Sequence, residues 1–412
     1  MGPTGKTLGS IALLLASMGV GAAALSAQDL SPYTSFTVFD KTFQFHGFVS
    51  EGYADTNDNN YLTMQTSKGG TFEMTDAGVN LSTQLTDHLR VGAQVYARDI
   101  GELGKWHPTL DWGFVDYKFT DWFGVRAGKV KTVLGLYNDT QDLETLQTWA
   151  LLPQSTYPLD LRASNIAHTG GDFYGTISLR RAGSLSYTAY AGLRSFDPWG
   201  GYYYFSLANG FNIENISGHT EGWDLRWNTP ISGLTIGSSW VNSTINRGGQ
   251  WFNGPFSGYY YDITDNPERT IAGYLDFVHD KWHFSAEFRN FNNIDEIGSS
   301  LFGSAPFPFN DGDQQSYESA AYRISKYVEI GTYYSHFHVD TPNAGDPNSS
   351  HINDNTITAR FDLTSHWDLK VEEHFIRGYG GAYAAEGFYT TQNPNGFKPN
   401  TNLLLVRTGW NF

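Results

Sequence analysis

Eight arginines stand at polar positions of segments that alternate apolar and polar residues: Arg90, Arg98, Arg126, Arg180, Arg194, Arg289, Arg360 and Arg407. Four carboxylates, Asp139, Asp142, Glu144 and Asp160, fall instead in one long link, residues 132–169. Guanidinium groups on a wall opposite carboxylates on a loop make and break no bonds. They set up a transverse field, which orients dipolar solutes and lets small ions pass where water fills the gap. On this reading Arg98 and Arg126 on the wall, with Asp139, Asp142 and Glu144 on the link, line the narrowest level. The same charges would also keep a wet surface solvated, as most charged side chains do. The favoured ion sign does not follow, because the wall leans basic and the links lean acidic.

Covalent and metal chemistry find less to work with. G-x-S-x-G and H-E-x-x-H are both absent from the sequence. His336 and His338 share a strand face, as metal ligands would, but such pairs are more often lumen or girdle residues. Asp58–Asn60, Asp311–Asp313 and Asn353–Asn355 carry oxygens that Ca²⁺ could use, yet turn formation explains them better. Tyr96, Tyr190 and Tyr274 could stack sugars, and the inward arginines could hold phosphate. No catalytic residue, metal or cofactor is assigned. A barrel enzyme is the less favoured alternative.

These residues need elements to position them, and the chain supplies sixteen candidate strands. They span 42–53, 71–85, 89–100, 109–119, 122–131, 170–181, 184–196, 221–228, 233–245, 269–279, 281–292, 315–325, 327–340, 355–364, 366–377 and 402–412. Leu89, Val91, Ala93, Val95 and Ala97 alternate with Arg90, Gly92, Gln94, Tyr96 and Arg98, and a period of two means one apolar and one polar face. Connections alternate between a few residues and eight or more, so the tight turns collect at one end. Trp122, Trp227, Trp282, Tyr327 and Trp367 sit beside those turns, as an interfacial girdle would. An even strand count, with both termini on the turn side, suits closure of the last strand on the first. Lys129 and Glu373 break the pattern by sharing faces with apolar residues. Each lies near the loop-side interface, is buried between protomers or, for Lys129, is turned inward by a bulge.

Composition agrees with a barrel better than with a helical membrane protein. Mean hydropathy is −0.39, and no apolar run after residue 30 approaches the roughly 20 residues of a membrane helix. Barrel strands escape that test, because polar lumen positions cancel the lipid-facing ones. Lys6, the apolar stretch from Leu8 to Val20 and the small residues Gly21 to Ala24 read as a signal peptide over 1–27, cleaved within 24–27. The remaining 28–412 reads as one domain. The chain has no cysteine, which excludes a disulfide framework, and its net charge of −16 argues against nucleic acid as a partner.

The last strand ends Arg407-Thr408-Gly409-Trp410-Asn411-Phe412 after alternating apolar positions. It resembles the terminal strand of Gram-negative outer-membrane proteins, in which Trp410 and Phe412 would belong to the signal read by the barrel-assembly machinery. Trp122 to Lys131, followed by Leu134-Gly135-Leu136-Tyr137-Asn138, resembles the fifth strand and constriction-loop start of the trimeric general porins. Where those porins have Arg in the Gly-Arg step, this chain has Lys129. The resemblance implies an all-β, transmembrane antiparallel barrel of about 16 strands, with 132–169 folded into the lumen as constriction loop. It implies an outer-membrane homotrimer among lipid and lipopolysaccharide, passing small hydrophilic solutes and ions by passive diffusion. The alternative is a channel selective for sugars or phosphate. The link itself fits a functional loop: Leu143, Leu146 and Ala150 make a short helical stripe, with Asp139 and Asp142 at its start and Pro153 after it.

Overall fold

Alternation of period two favours extended backbone, since a strand sends successive side chains to opposite faces. The computed structural model describes residues 34–412 apart from 143, 254–256, 299–306, 341–344 and 381–386. The expected signal segment and Leu143 therefore lie outside the described residues. The strands are β1 (Thr34–Val38), β2 (Lys41–Thr56), β3 (Thr71–Gln84), β4 (Leu89–Ile100), β5 (Thr109–Thr120) and β6 (Phe123–Lys131). Next come β7 (Ala167–Ser178), β8 (Ser184–Arg194), β9 (Phe211–Asn228), β10 (Leu234–Trp251), β11 (Tyr260–His279) and β12 (Trp282–Gly298). The last are β13 (Phe307–Arg323), β14 (Val328–Val339), β15 (His351–Asp362), β16 (Trp367–Gly378) and β17 (Asn400–Asn411).

From β2 to β17 each strand pairs antiparallel with the next, and β17 returns to β2, closing a barrel of sixteen strands. Closure leaves no unpaired edge, which a hydrocarbon surround would penalise. All sixteen strands expected from periodicity are present, and β4 matches its expected bounds. The five-residue β1 was not foreseen. It pairs with Lys41 to Phe45 of β2 just below the point where β17 stops, and so covers that remaining edge. At the seam Phe412 and Gly47 exchange backbone hydrogen bonds of 3.0 and 3.1 Å. A Cβ at position 47 would lie 2.4 Å from the Phe412 ring, so this close approach requires glycine.

The turns do collect at one rim. Trp122, Trp227, Trp282, Tyr327 and Trp367 are all on the outside there, 39–59% exposed. On the opposite side β9 to β13 run past their expected bounds; β11 has 20 residues where about 9–11 cross a bilayer. The links expected at 246–268 and 293–314 are accordingly part strand, with Asn246 to Gln250 paired to Thr264 to Tyr260. The link 197–220 holds the eight-residue helix Gly201–Ala208.

Several expected placements need correction. Arg180 is in the tight turn Arg180–Ala182 with φ of 60°, because β7 ends at Ser178, and so it leaves the wall. Asn353–Asn355 is not a loop but the interior of β15. His336 and His338 are on the outer face with Tyr334, where Tyr334 and His336 both contact Asn353. The alternation of burial along β16 puts Glu373 outward as well. Lys129 also stays outward, but a bulge is nearby. The register of β4 on β5 steps from Gln94–Trp112 to Val95–Leu110, leaving Asp111 as the extra residue. Lys129 Nζ donates to the Leu110 carbonyl at that break (2.6 Å).

The lumen is not uniformly polar. Phe337, Val339, Ile352, Ile376, Leu403 and Leu405 form an apolar cluster with Ala150 and Leu151 of the 132–169 link and with Tyr61, Leu62 and Phe388 of other loops. At this level the inward side chains of β14 to β17 are apolar because loops pack on them, while Lys370, Glu372 and Arg407 keep the same wall charged nearer the turns.

Candidate constriction site

The link after β6 turns inward. Its root is tied by Thr132 N–H to the Ile166 carbonyl (3.0 Å) and by Asn138 Nδ2 to the carbonyls of Thr132 and Asn165 (2.7 and 2.9 Å). The chain then crosses the lumen and is gripped on the far wall, largely through its backbone. Lys370 Nζ donates to the Glu144 carbonyl (2.6 Å) and carboxylate (2.5 Å), and Arg360 Nη1 donates to the Gln147 carbonyl (2.7 Å). The Glu372 carboxylate accepts from the N–H groups of Ala150 and Leu151 (3.1 and 3.0 Å). Arg407 Nη1 donates to the Ala150 carbonyl (3.0 Å). On the way back Arg289 Nη1 donates to the Thr156 carbonyl (2.6 Å), and Arg98 Nη1 to that of Leu159 (2.6 Å). Arg162 finally makes a bidentate pair with Asp111 (2.9 and 2.8 Å), its guanidinium 4.0 Å above the Tyr96 ring. Of the helical stripe expected here, only the single turn Glu144–Leu146 is regular. Among the described residues of 132–166, Leu146 alone is exposed.

The expected site residues fall into separate groups. Asp142 pairs with Lys131 (2.7 Å) and accepts from Gln94 (2.7 Å). Glu144 pairs with Lys370. Asp139 approaches Arg226 at 3.6 Å. Arg126 pairs with Asp172 (2.8 Å), and Arg407 holds Ser50 and Asp76. Arg360 is bound to Asp362 (2.8 Å), Arg194 to Glu268, and Arg289 to Glu287 (2.6 Å). Arg90 is exposed near the turn rim, with Ser82 Oγ at 3.4 Å. Arg98 and Arg126 thus face none of Asp139, Asp142 and Glu144 as partners. The cations beside these three acids are Lys131, Arg226 and Lys370. Arg226 and Lys370 could have been found by the same alternation, since Arg226 lies between Leu225 and Trp227, and Lys370 between Leu369 and Val371.

Asp160 is fully buried, and burial pushes its carboxyl above the usual carboxylate range. The Tyr389 hydroxyl (2.6 Å) and the Leu161 N–H (2.9 Å) hold it down in part. A carboxyl raised in the folded state stabilises fully below its ordinary value of 3.8, and that contribution is lost as pH rises through the raised value. Asp160→Asn, which carries no charge at any pH, should therefore lessen the decline in melting temperature expected as pH rises through the raised value, as read by thermal unfolding from about pH 4 to pH 7. An unchanged decline would place its origin elsewhere.

The tyrosines named for stacking are not available to a solute. Tyr96, Tyr190 and Tyr274 are all buried. Tyr190 and Tyr274 lie against wall glycines: a Cβ at Gly222 would be 2.5 Å from the Tyr190 hydroxyl, and one at Gly237 2.2 Å from the Tyr274 ring. Tyr274 also donates to Asp224 (2.6 Å). On the side of this link away from the turns a cavity of about 360 Å³ opens between the loop root and β8 to β13, lined by Leu134, Arg194, Val241, Arg289 and Phe291 among others.

No family model matches this chain, and no curated protein matches it. Solved structures do. OmpT of Vibrio cholerae, expressed in the outer membrane, superposes with a TM-score of 0.58 at 10% identity, over 92% of this chain and 100% of that one. The outer membrane channel DcaP of Acinetobacter baumannii gives 0.55 at 12% identity, over 92% and 100%. An anion-selective porin from Comamonas acidovorans gives 0.53 at 10%, over 90% and 100%. The in-vitro folded trimer form of the Vibrio cholerae protein gives 0.54 at 11%, over 90% and 99%. At these identities the likeness is one of fold: a porin-type barrel.

Proposed function

We propose that this chain is a porin-like channel of the Gram-negative outer membrane, giving passive passage to small hydrophilic solutes and ions. One observation carries the reading. A closed sixteen-stranded barrel with an aromatic girdle outside has its lumen crossed by a loop held through charged groups. Such a lumen is wet, and solutes are sorted there by size and field. Lipid and lipopolysaccharide surround the barrel, and residues 1–27 are removed on export. The assembly machinery reads Trp410 and Phe412, whose rings lie 5.1 Å apart on the outer face of the seam. A homotrimer follows from the likeness to a trimeric barrel and from the outward carboxylate of Glu373, which costs less against protein than against lipid. No catalytic role is assigned to any residue.

Narrow selectivity for particular solutes is a second reading, favoured by how little of the loop is exposed. Single-channel conductance of the purified protein in planar bilayers, with neutral solutes of increasing size, separates the two. Steady conductance that declines smoothly with solute size is the expected result. Saturable block by one solute class would support the selective channel, and a folded barrel without conductance would refute both.

A further inference from the structure

We infer that the conducting gap runs against the β7 to β12 wall, is narrowed there by the loop segment 134–136, and is governed by Arg226 and Asp139. This rests on the channel reading but places the gap away from the wall that carries Arg98 and Arg407.

The opposite side is sealed. Lys370, Arg360, Glu372 and Arg407 hold residues 144–151 by their backbone. Behind that strap Ala150 and Leu151 pack into the apolar cluster with Phe337, Ile352, Leu403 and Leu405. The void of about 10 Å³ between Phe337, Ile352 and Ile376 and the polar Ser335 and Asp354 has room for about one water and no path.

A cavity of about 420 Å³ also lies beside Arg360, Asp362 and Asp368 at the turn rim below the strap, but the apolar cluster stands between it and the loop side; against β7 to β12 space and charge lie on either side of a thin segment of loop. The cavity of about 360 Å³ reaches Leu134 from the loop side. Beyond that segment, toward the turn rim, the side chains of Arg226, Asp139 and Arg126 remain 29%, 26% and 26% exposed. Between cavity and charges stands 134–136, held to the wall by side chains alone. Gly135 N–H donates to Ser239 Oγ (2.9 Å), and the Gly135 carbonyl accepts from Arg226 Nη2 (3.0 Å). Leu136 N–H donates to Glu287 (3.1 Å), and the Leu134 carbonyl accepts from Arg289 (3.3 Å). Gly135 has φ of 66°, and a Cβ there would meet Glu287 at 2.0 Å, so the bar sits as close to the wall as a backbone can. Side-chain rearrangement is enough to move it; no strand has to shift.

Arg226 is the group shared by bar and field. It binds the Gly135 carbonyl, pairs with Asp224 at 3.0 Å and faces Asp139 at 3.6 Å. One cation between two carboxylates gives the gap both signs of charge and a small acidic excess. Small polar solutes and ions of either sign fit that lining, with cations slightly favoured.

The sequence has no cysteine, so single cysteines can be read in the whole protein. Thr140→Cys stands beside Asp139 at the gap, and Leu146→Cys on the exposed tip of the strapped segment. Both are treated with a positively charged methanethiosulfonate in planar bilayers, with labelling checked by mass. Current through Thr140→Cys should fall by about half or more, while labelled Leu146→Cys keeps nearly all of its current. Equal loss in both, or loss only at Leu146, would overturn the placement. Arg226→Gln should change conductance about twofold or more and move the reversal potential toward cations. Parent-like values for both would overturn the role of Arg226. A folded parent barrel that carries no current would remove the channel reading itself; current in the parent with no effect at Thr140 removes only the location.

Discussion

Lys370→Met should cost about 3–5 kcal/mol of stability, the range for leaving one member of a buried ion pair alone. Lys370 is fully buried on the lumen face of β16. Its ammonium donates to both the carbonyl and the carboxylate of Glu144, and Asp368 is 3.9 Å away. Removing it strands the Glu144 carboxylate and frees one of the backbone groups that hold the loop. Urea unfolding of the assembled barrel measures the loss. A companion variant, Lys370→Met with Glu144→Gln, should recover most of it, because the penalty lies chiefly in the unpaired charge. If the single variant costs less than about 1 kcal/mol, the pair is solvated and the strap is not fixed there.

The strap also shows where periodicity stops informing. The order and facing of β2 to β17 were legible, because one lipid side and one wet side impose period two on every strand. Beyond the bilayer that constraint ends. Asn246, Gly248 and Gln250 of β10 have no apolar partner set, and their strand was read as a loop. Loop packing leaves another trace, which was overlooked. In β14 the apolar residues are Val328 and Ile330 on the outer face, then Phe337 and Val339 on the inner one. That change of parity within one strand marks the level where the lumen is filled. The run Leu403 to Val406 in β17 carries the same information, being apolar on both faces.

The position of the loop charges inside the barrel was legible, but their pairing was not. Asp139, Asp142, Glu144 and Asp160 do lie on a loop inside the barrel, yet their partners are separated from them in ways no local pattern encodes. Glu144 meets Lys370 across 226 residues, and Asp160 meets Tyr389 across 229. Arginine was weighted above lysine when wall cations were chosen, which passed over Lys131 and Lys370. The direction of the loop came from a resemblance and not from its own residues, since a link of that length and composition could equally have lain outside.

Neutralising Asp139, Asp142 and Glu144 together should shift ion selectivity toward anions, and the pairings say how the shift divides. Each acid leaves one cation behind: Arg226, Lys131 and Lys370 respectively. A unit charge about 6 Å from a passing ion is worth roughly 0.7 kcal/mol in water, and more where protein lowers the dielectric. Lys370 is buried behind the strap and speaks to the lumen weakly. Arg226, 29% exposed, speaks most directly. Asp139→Asn alone should therefore give the largest part of the change, about tenfold in the anion-to-cation permeability ratio because the anion gains what the cation loses, and Glu144→Gln the smallest. Reversal potentials should be taken near 0.1 M salt, where the screening length is about 10 Å; at 1 M it falls to about 3 Å and would mask the effect. A shift dominated by Glu144→Gln would put the ion path along the β16 wall. No shift from any of the three would mean that permeating ions do not pass these carboxylates at all.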